Sequence, residues 1–361
     1  MKKLTRLVLA AAMGGAAMLT PLAPVQAATL TPQQVAGNVA PAQVSDLVVT
    51  PDIADRKWLQ KFGDDPRVLK LQATSPAMNG RVIPLAVIKA KDAGRPTIYL
   101  LNGAGSAEQN ADWLNMTEVV NFYAEKNINV VVPMAGAFSY YTDWQQEPNG
   151  SYLRGPQKWE TFLTKELPGP LESKLKASNK RAIAGMSMSA TSSLLLAQHN
   201  QGFYDAVGSF AGCAMTARPM EYEFLRLTLN RGGGQPEQMW GPMGSPTNRY
   251  NDAVMNAEKL RGTTLYISAA NGLAGPFDVP SYFVKQGVDP TVASAGAATV
   301  QIEGGIIETG VNSCTHNFKA KLDSLNIPAH YNFRTTGTHS WPGWKEDLRE
   351  SWPVFDRALN G

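Results

Sequence analysis

The run Arg181-Ala182-Ile183-Ala184-Gly185-Met186-Ser187-Met188-Ser189-Ala190 joins a short apolar strand to a helix rich in Ala and Leu through Gly185-x-Ser187-x-Ser189. A nucleophilic serine needs this context. A sharp strand-to-helix turn lifts its hydroxyl clear of the sheet, and small neighbours avoid the adjoining strand. Ser189 stands where the pattern usually ends in Gly, one small residue for another. The helix N-terminus also sets the Met188 N–H where an oxyanion would form. A pattern this short arises by chance, so the flanking strand and helix carry as much of the argument as the motif.

Outward from the elbow, strand-like and helix-like runs alternate. Strands are predicted over 68–73, 82–89, 97–101, 129–133, 181–184, 206–210, 264–269 and 329–333. Helices are predicted over 117–126, 160–166, 189–199, 306–325 and 345–359. In the fourth of these, Ile307, Val311, Cys314, Phe318, Leu322 and Leu325 recur at spacings of three or four. Two leading strands followed by strand–helix alternation predict a mostly parallel sheet covered by helices on both faces. With the elbow, that is an α/β-hydrolase fold, expected as a single domain over 56–361. Residues 230–251 break the alternation with Gly232-Gly233-Gly234 and Met239-Trp240-Gly241-Pro242, and read as an insertion over one end of the sheet.

A serine nucleophile needs a base, and the chain offers four histidines. His199 ends the post-elbow helix, His316 lies along a packed helix and His330 falls inside a strand. His339 alone sits in a loop, Thr336-Gly337-Thr338-His339-Ser340-Trp341, just beyond the last strand, where this fold delivers its histidine. The acid should lie between Ser187 and His339. Asp323 is late in its helix, and pattern favours Glu308 over Glu303 without closing the choice. A second oxyanion donor is expected after an early strand, where Asn102-Gly103-Ala104-Gly105 offers the Ala104 N–H. An ordinary turn would look the same.

Lys2, Lys3 and Arg6 precede an apolar run from Leu7 to Leu19 and a small-x-small site ending at Ala27. This reads as a secretory signal peptide over 1–27, too short in its apolar core to span a bilayer. Residues 28–55, rich in Ala, Pro, Gln and Val without periodicity, read as a leader or linker. The chain has 33 Lys and Arg against 30 Asp and Glu, and three of the bases lie in the signal peptide. The remainder balances, which argues against a nucleic-acid partner. No metal-binding cluster is apparent. Two cysteines, Cys213 and Cys314, are a plausible disulfide in an exported protein, or two buried thiols.

Several segments resemble one known family. They are Ser75-Pro76-x-Met78-x-Gly80-Arg81, Tyr99-Leu100-Leu101-x-Gly103, Tyr141-x-Asp143-Trp144, the run from Lys158 to Thr164, Glu166-Leu167-Pro168, the elbow, Met239-Trp240-Gly241-Pro242 and Gly337-Thr338-His339-Ser340-Trp341. In these, from about Ser75 onward, the chain resembles the trehalose mycolyltransferases (the antigen 85 family), closest in pattern to corynebacterial-type members. The resemblance implies a triad of Ser187, Glu308 and His339, oxyanion donors at Met188 and Ala104, and no cofactor or metal. It also implies a sugar-side role around Trp341, and sugar contacts at the position of Asn102. The implied reaction moves a mycoloyl group from an acyl-trehalose glycolipid to a second trehalose ester or to arabinogalactan. The implied setting is a secreted or envelope-associated monomer. One departure stands out: mycobacterial members carry Asp-Gly-Leu-Arg where this chain has Asn102-Gly103-Ala104-Gly105, losing charge at both polar positions. A hydrolytic esterase would use the same triad, and a non-catalytic, adhesin-like relative is a further alternative.

Overall fold

The computed structural model describes residues 39–361; the expected signal peptide lies outside them. Nine strands form one sheet: β1 (Gln43–Asp46), β2 (Val68–Ser75), β3 (Arg81–Ile88), β4 (Thr97–Leu101), β5 (Asn129–Pro133), β6 (Arg181–Met186), β7 (Ala206–Phe210), β8 (Thr264–Ala269) and β9 (His330–Phe333). Their order is β1-β2-β3-β5-β4-β6-β7-β8-β9. From β5 to β9 every pairing is parallel, and β1, β2 and β3 extend that edge antiparallel.

The central strands are apolar on both faces because both are covered. In β4, Tyr99 and Leu101 enter one core while Ile98 and Leu100 enter the other. The first core also takes Leu171 of α1 (Pro168–Leu175), Leu194 to Leu196 of α2 (Met188–His199), Leu225 and Leu229 of α3 (Pro219–Gly232) and Phe318 and Leu322 of α4 (Gly305–Ser324). The second takes Leu348 of α5 (Trp341–Glu350) and Phe355 of α6 (Trp352–Asn360). The expectation of one C-terminal helix over 345–359 becomes two, α5 and α6, because Pro342 and Pro353 each sit in a first turn, where a missing N–H is harmless.

The strand that delivers Ser187 is anchored at its start. Arg181 meets Glu172 of α1 through two contacts of 2.7 Å, both side chains fully buried, and the Tyr99 hydroxyl donates to the same carboxylate. Removing one partner from such a pair costs about 3–5 kcal/mol, because it strands a buried charge.

The reading of residues 28–55 as a leader needs correction within the sheet. Gln43–Asp46 is β1, paired with Leu71–Thr74 of β2, and Ala42 N–H donates to Glu166 C=O. As a mostly exposed edge strand, β1 has no buried face to imprint a period-2 pattern on its sequence. The stretch read as an insertion is packed into the body. It comprises the end of α3 and two short helices, and both Met239 and Trp240 are fully buried, the Trp240 indole donating to Thr142 Oγ1.

Candidate active site

Ser187 lies between β6 and α2 with φ 56° and ψ −121°, a conformation that costs a non-glycine residue of order 1–3 kcal/mol and persists only under surrounding constraint. The constraints can be named. Ser187 N–H donates to Phe210 C=O of β7 at 2.9 Å. A Cβ on Gly185 would strike the Ser189 backbone, and one on Gly212 would strike Ala190 Cβ. Ser189 contributes more than small size. Its buried hydroxyl accepts from Met186 N–H at 3.0 Å and lies 3.2 Å from Leu101 C=O, so it ties the elbow to β4.

His339 arrives from the loop after β9. Its Nε2 lies 2.7 Å from Ser187 Oγ and its Nδ1 2.7 Å from Glu308 Oε2. Glu308, in the first turn of α4, is fully buried, and its other oxygen accepts Ala270 N–H at 2.6 Å. Glu303, the competing acid, is exposed in the turn before α4. The other histidines stand elsewhere. His199 is packed between Glu160 and Tyr250, His316 stacks on Phe333, and His330 is exposed on β9.

The loop carrying His339 is fixed from several directions. Its N–H donates to Gly304 C=O at 3.1 Å. On either side, the Thr338 and Ser340 hydroxyls reach the buried Asp278 carboxylate at 2.7 and 3.2 Å. The Trp344 ring meets the imidazole edge-on at 5.1 Å. A Cys213–Cys314 disulfide ties the loop after β7 to α4, the helix that carries Glu308, with the Cα atoms 5.1 Å apart.

Met188 and Ala104 line the same cavity as Ser187. As the first residue of α2, Met188 has an N–H that no intrahelical carbonyl can take. Ala104 is held through its own carbonyl, which accepts Phe138 N–H at 2.8 Å.

Of the two residues expected to touch sugar, Asn102 is placed otherwise. Asn102 is fully buried. Its amide donates to Pro133 C=O and accepts Trp113 N–H, so its polar atoms are spent on backbone at the end of β4. Trp341 is half-buried and packs edge-on against Trp113 at 5.7 Å and Trp344 at 5.2 Å.

Two hollows lie near the loop that carries His339, and of these the first reaches Ser187. It is a cavity of about 310 Å³, walled mainly by Met215, Phe224, Leu225, Leu227 and Val311 and reaching Ser187, Met188, Ala104 and His339. The second is a hollow of about 370 Å³, lined by Asp278, Arg334, Thr336, Ser340 and Glu346 with Phe277 and Phe333. Arg334 also donates to Asp347 at 2.7 Å; burial pushes that carboxyl above its usual range, against the pull of the guanidinium. Sequence reasoning missed the α3 wall. The signal was present: Pro219 at a helix start, then Tyr222, Leu225 and Leu229 at spacings of three and four, then Gly233 at the close. Among the described residues no His, Cys, Asp and Glu group could hold a metal ion, and no helix is long and apolar enough to cross a membrane.

Fold and site together define an α/β-hydrolase of the serine esterase class. The family described as "Putative esterase" matches residues 75–354. The chain is 30% identical to the Mycobacterium tuberculosis (strain ATCC 25618 / H37Rv) protein "Diacylglycerol acyltransferase/mycolyltransferase Ag85A", covering 80% of each chain. It is 27% identical to the Mycobacterium leprae Ag85C protein of the same description, over 81% of this chain and 82% of that one. In fold it is similar to Mycobacterium tuberculosis MPT51, with TM-score 0.65 and 22% identity over 81% of this chain and 98% of that one. The chain belongs to the Ag85 diacylglycerol acyltransferase/mycolyltransferase family within these esterases.

Proposed function

We propose that this protein is an exported acyltransferase that moves a long-chain, mycoloyl-type acyl group from an acyl-trehalose to a second sugar hydroxyl, on trehalose or on arabinogalactan. The observation that carries the reading is the line Glu308–His339–Ser187, opening on a largely apolar cavity. Ser187 Oγ attacks the ester carbonyl while His339 Nε2 takes its proton. Glu308 holds the other ring nitrogen and steadies the imidazolium that forms. The Met188 and Ala104 N–H groups receive the oxyanion. The sugar leaves with the proton from His339, and the acyl chain stays on Ser187 with its tail between α3 and α4. A second sugar hydroxyl then gives its proton to His339, attacks the acyl-enzyme and regenerates the serine.

Water is the competing acceptor. Transfer therefore needs an acceptor site that positions the sugar and shields the acyl-enzyme. With the Asn102 amide committed to backbone, we place the acceptor in the polar hollow: Thr338 and Ser340, the neighbours of His339 in sequence, line it, and Arg334, Glu346 and Thr336 offer donors and acceptors suited to a polyol. Export rests on the N-terminal pattern of residues 1–27.

The test is incubation of the mature protein with trehalose monomycolate and labelled trehalose, with Ser187→Ala as control. Ser187-dependent label in acylated sugar is the expected result. Free fatty acid without labelled product would identify a hydrolase instead.

A further inference from the structure

Asp278, in the loop after β8, carries a buried carboxylate that the proposed reaction does not use. One of its oxygens, Oδ1, accepts the Thr338 hydroxyl at 2.7 Å and the Ser340 hydroxyl at 3.2 Å. Those two residues stand immediately before and after His339. The other oxygen accepts the Gly275 N–H at 2.8 Å, and the Asp278 carbonyl accepts the Gln301 amide at 2.7 Å. Gln301 belongs to the turn Val300–Gly304, whose Gly304 C=O accepts the His339 N–H, and α4 follows with Glu308 in its first turn. Asp278 is therefore bonded both to the loop that brings the imidazole and to the segment that leads into its acid.

Ser340 gives up a local advantage to make this contact. It is the N-cap of α5, where a serine oxygen ordinarily accepts an N–H of the first turn, yet its side chain makes no such cap. Its hydroxyl proton goes to Asp278 instead. Burying a carboxylate also costs free energy, and the three donors bonded to this one are neutral. Backbone bonds from Gly337 N–H to Leu273 C=O and from His339 N–H to Gly304 C=O set the path of the loop. The two hydroxyls, drawn to a single oxygen, add a clamp across the residue between them. We propose that Asp278 is a positioning residue for the reaction: acting through Thr338 and Ser340, it holds the His339 imidazole in line between Ser187 and Glu308. The proposal rests on Ser187 and His339 being the reacting pair.

The test measures kcat and KM separately for hydrolysis of p-nitrophenyl butyrate, with no sugar present, well below the Tm of every variant. Displacing a reacting group by about 1 Å costs about 10²-fold in rate. Asp278→Ala is expected to lower kcat by about that factor with KM nearly unchanged, the pattern of an interaction that matters only in the transition state. The double variant Thr338→Val with Ser340→Ala should lose as much although Asp278 is intact, and adding Asp278→Ala to it should cost nothing further. Asp278→Asn, which keeps one oxygen as acceptor, should recover part of the rate. Wild-type kcat in the double variant overturns the proposal, because Asp278 would then act only through Gly275 and Gln301 as a brace of the fold. That arm decides the matter even if Asp278→Ala fails to fold. Absence of Ser187-dependent turnover in the wild type, with no acylated protein found by mass spectrometry, would instead overturn the acyl-enzyme reading.

Discussion

The cavity that reaches Ser187 is walled by Met215, Leu225, Leu227 and Val311; a separate hollow, lined by Thr338 and Ser340 of the His339 loop, is completed by Asp278, Arg334, Thr336 and Glu346. The first wall is made by two helices, α3 and α4, that lie over the sheet, and their apolar side chains extend outward to the exposed Leu227, Ile306 and Ile307 at the mouth. The second is made by loops after β8 and β9, whose polar groups are held by hydrogen bonds to Asp278 and Asp347. An ester of a fatty acid with a sugar has the same asymmetry about its carbonyl. The contrast teaches that the histidine loop borders two unlike surfaces, and under the function proposed above the apolar one would take a hydrocarbon tail and the polar one a polyol.

The comparison breaks most completely if the histidine loop has no chemistry to serve. Ser187→Ala is expected to lower acyl transfer by about 10⁴- to 10⁶-fold, measured as labelled product, with circular dichroism and Tm close to wild type, because the side chain stands at a turn outside both cores. Glu308→Gln keeps the buried volume but lets the imidazole take the wrong tautomer. It is expected to cost about 10⁴-fold in kcat, and a loss below ten-fold would show that His339 is oriented by its neighbours Gly304 and Trp344 instead. Reducing the Cys213–Cys314 bond, which closes a loop of 101 residues, tests whether the apolar wall is held shut covalently. In the chain-entropy account a loop of that length contributes about 4–5 kcal/mol. A clear fall in Tm under reductant is therefore expected, and an unchanged Tm together with unchanged activity would remove the bond from any account of how α4 is held.

How much of this was legible in the sequence follows the same division. The elbow could be read because its requirements are local: a strand, small residues and a helix within ten positions. His339 could be read because it lies just past a strand in a loop. Glu308 could be narrowed to a pair but not chosen from pattern alone, since burial separates it from Glu303 and burial is set by packing far away in sequence. The same cause explains the misreadings. Asn102 is a polar residue beside the site in sequence, but its amide is used up by Pro133 and Trp113. β1 was invisible because an exposed edge strand needs no alternation, and the acyl-side wall was missed because α3 was not recognised as a helix.

Two smaller effects sharpen the division. Leu227→Asp places a charge at the mouth of the apolar cavity, on a side chain already 65% exposed, so the fold should tolerate it. Burying one large apolar side chain contributes about 1.5–3 kcal/mol, and partial loss of that contact predicts roughly ten-fold lower kcat/KM for long-chain donors with little change for short ones. An equal effect on both lengths would mean that the tail does not leave between α3 and α4.

The smallest expected effect lies on the polar side. Arg334 is a poor test there, because removing it would strand the Asp347 carboxyl in the core. Glu346 is half-buried on the first turns of α5 and faces the hollow directly. If the hollow holds the incoming sugar, Glu346→Ala removes an acceptor for one or two sugar hydroxyls. Each such bond is worth about 0.5–1.5 kcal/mol net, which predicts a rise of a few-fold to about ten-fold in KM for the acceptor. The fate of the acyl-enzyme is the more telling readout. Weaker acceptor binding leaves the intermediate to water, so the ratio of free acid to acylated sugar should rise at fixed acceptor concentration, and high acceptor should restore it. A fall in acylation rate with that ratio unchanged would put Glu346 on the donor's path and make the hollow the exit for the first sugar rather than the entrance for the second.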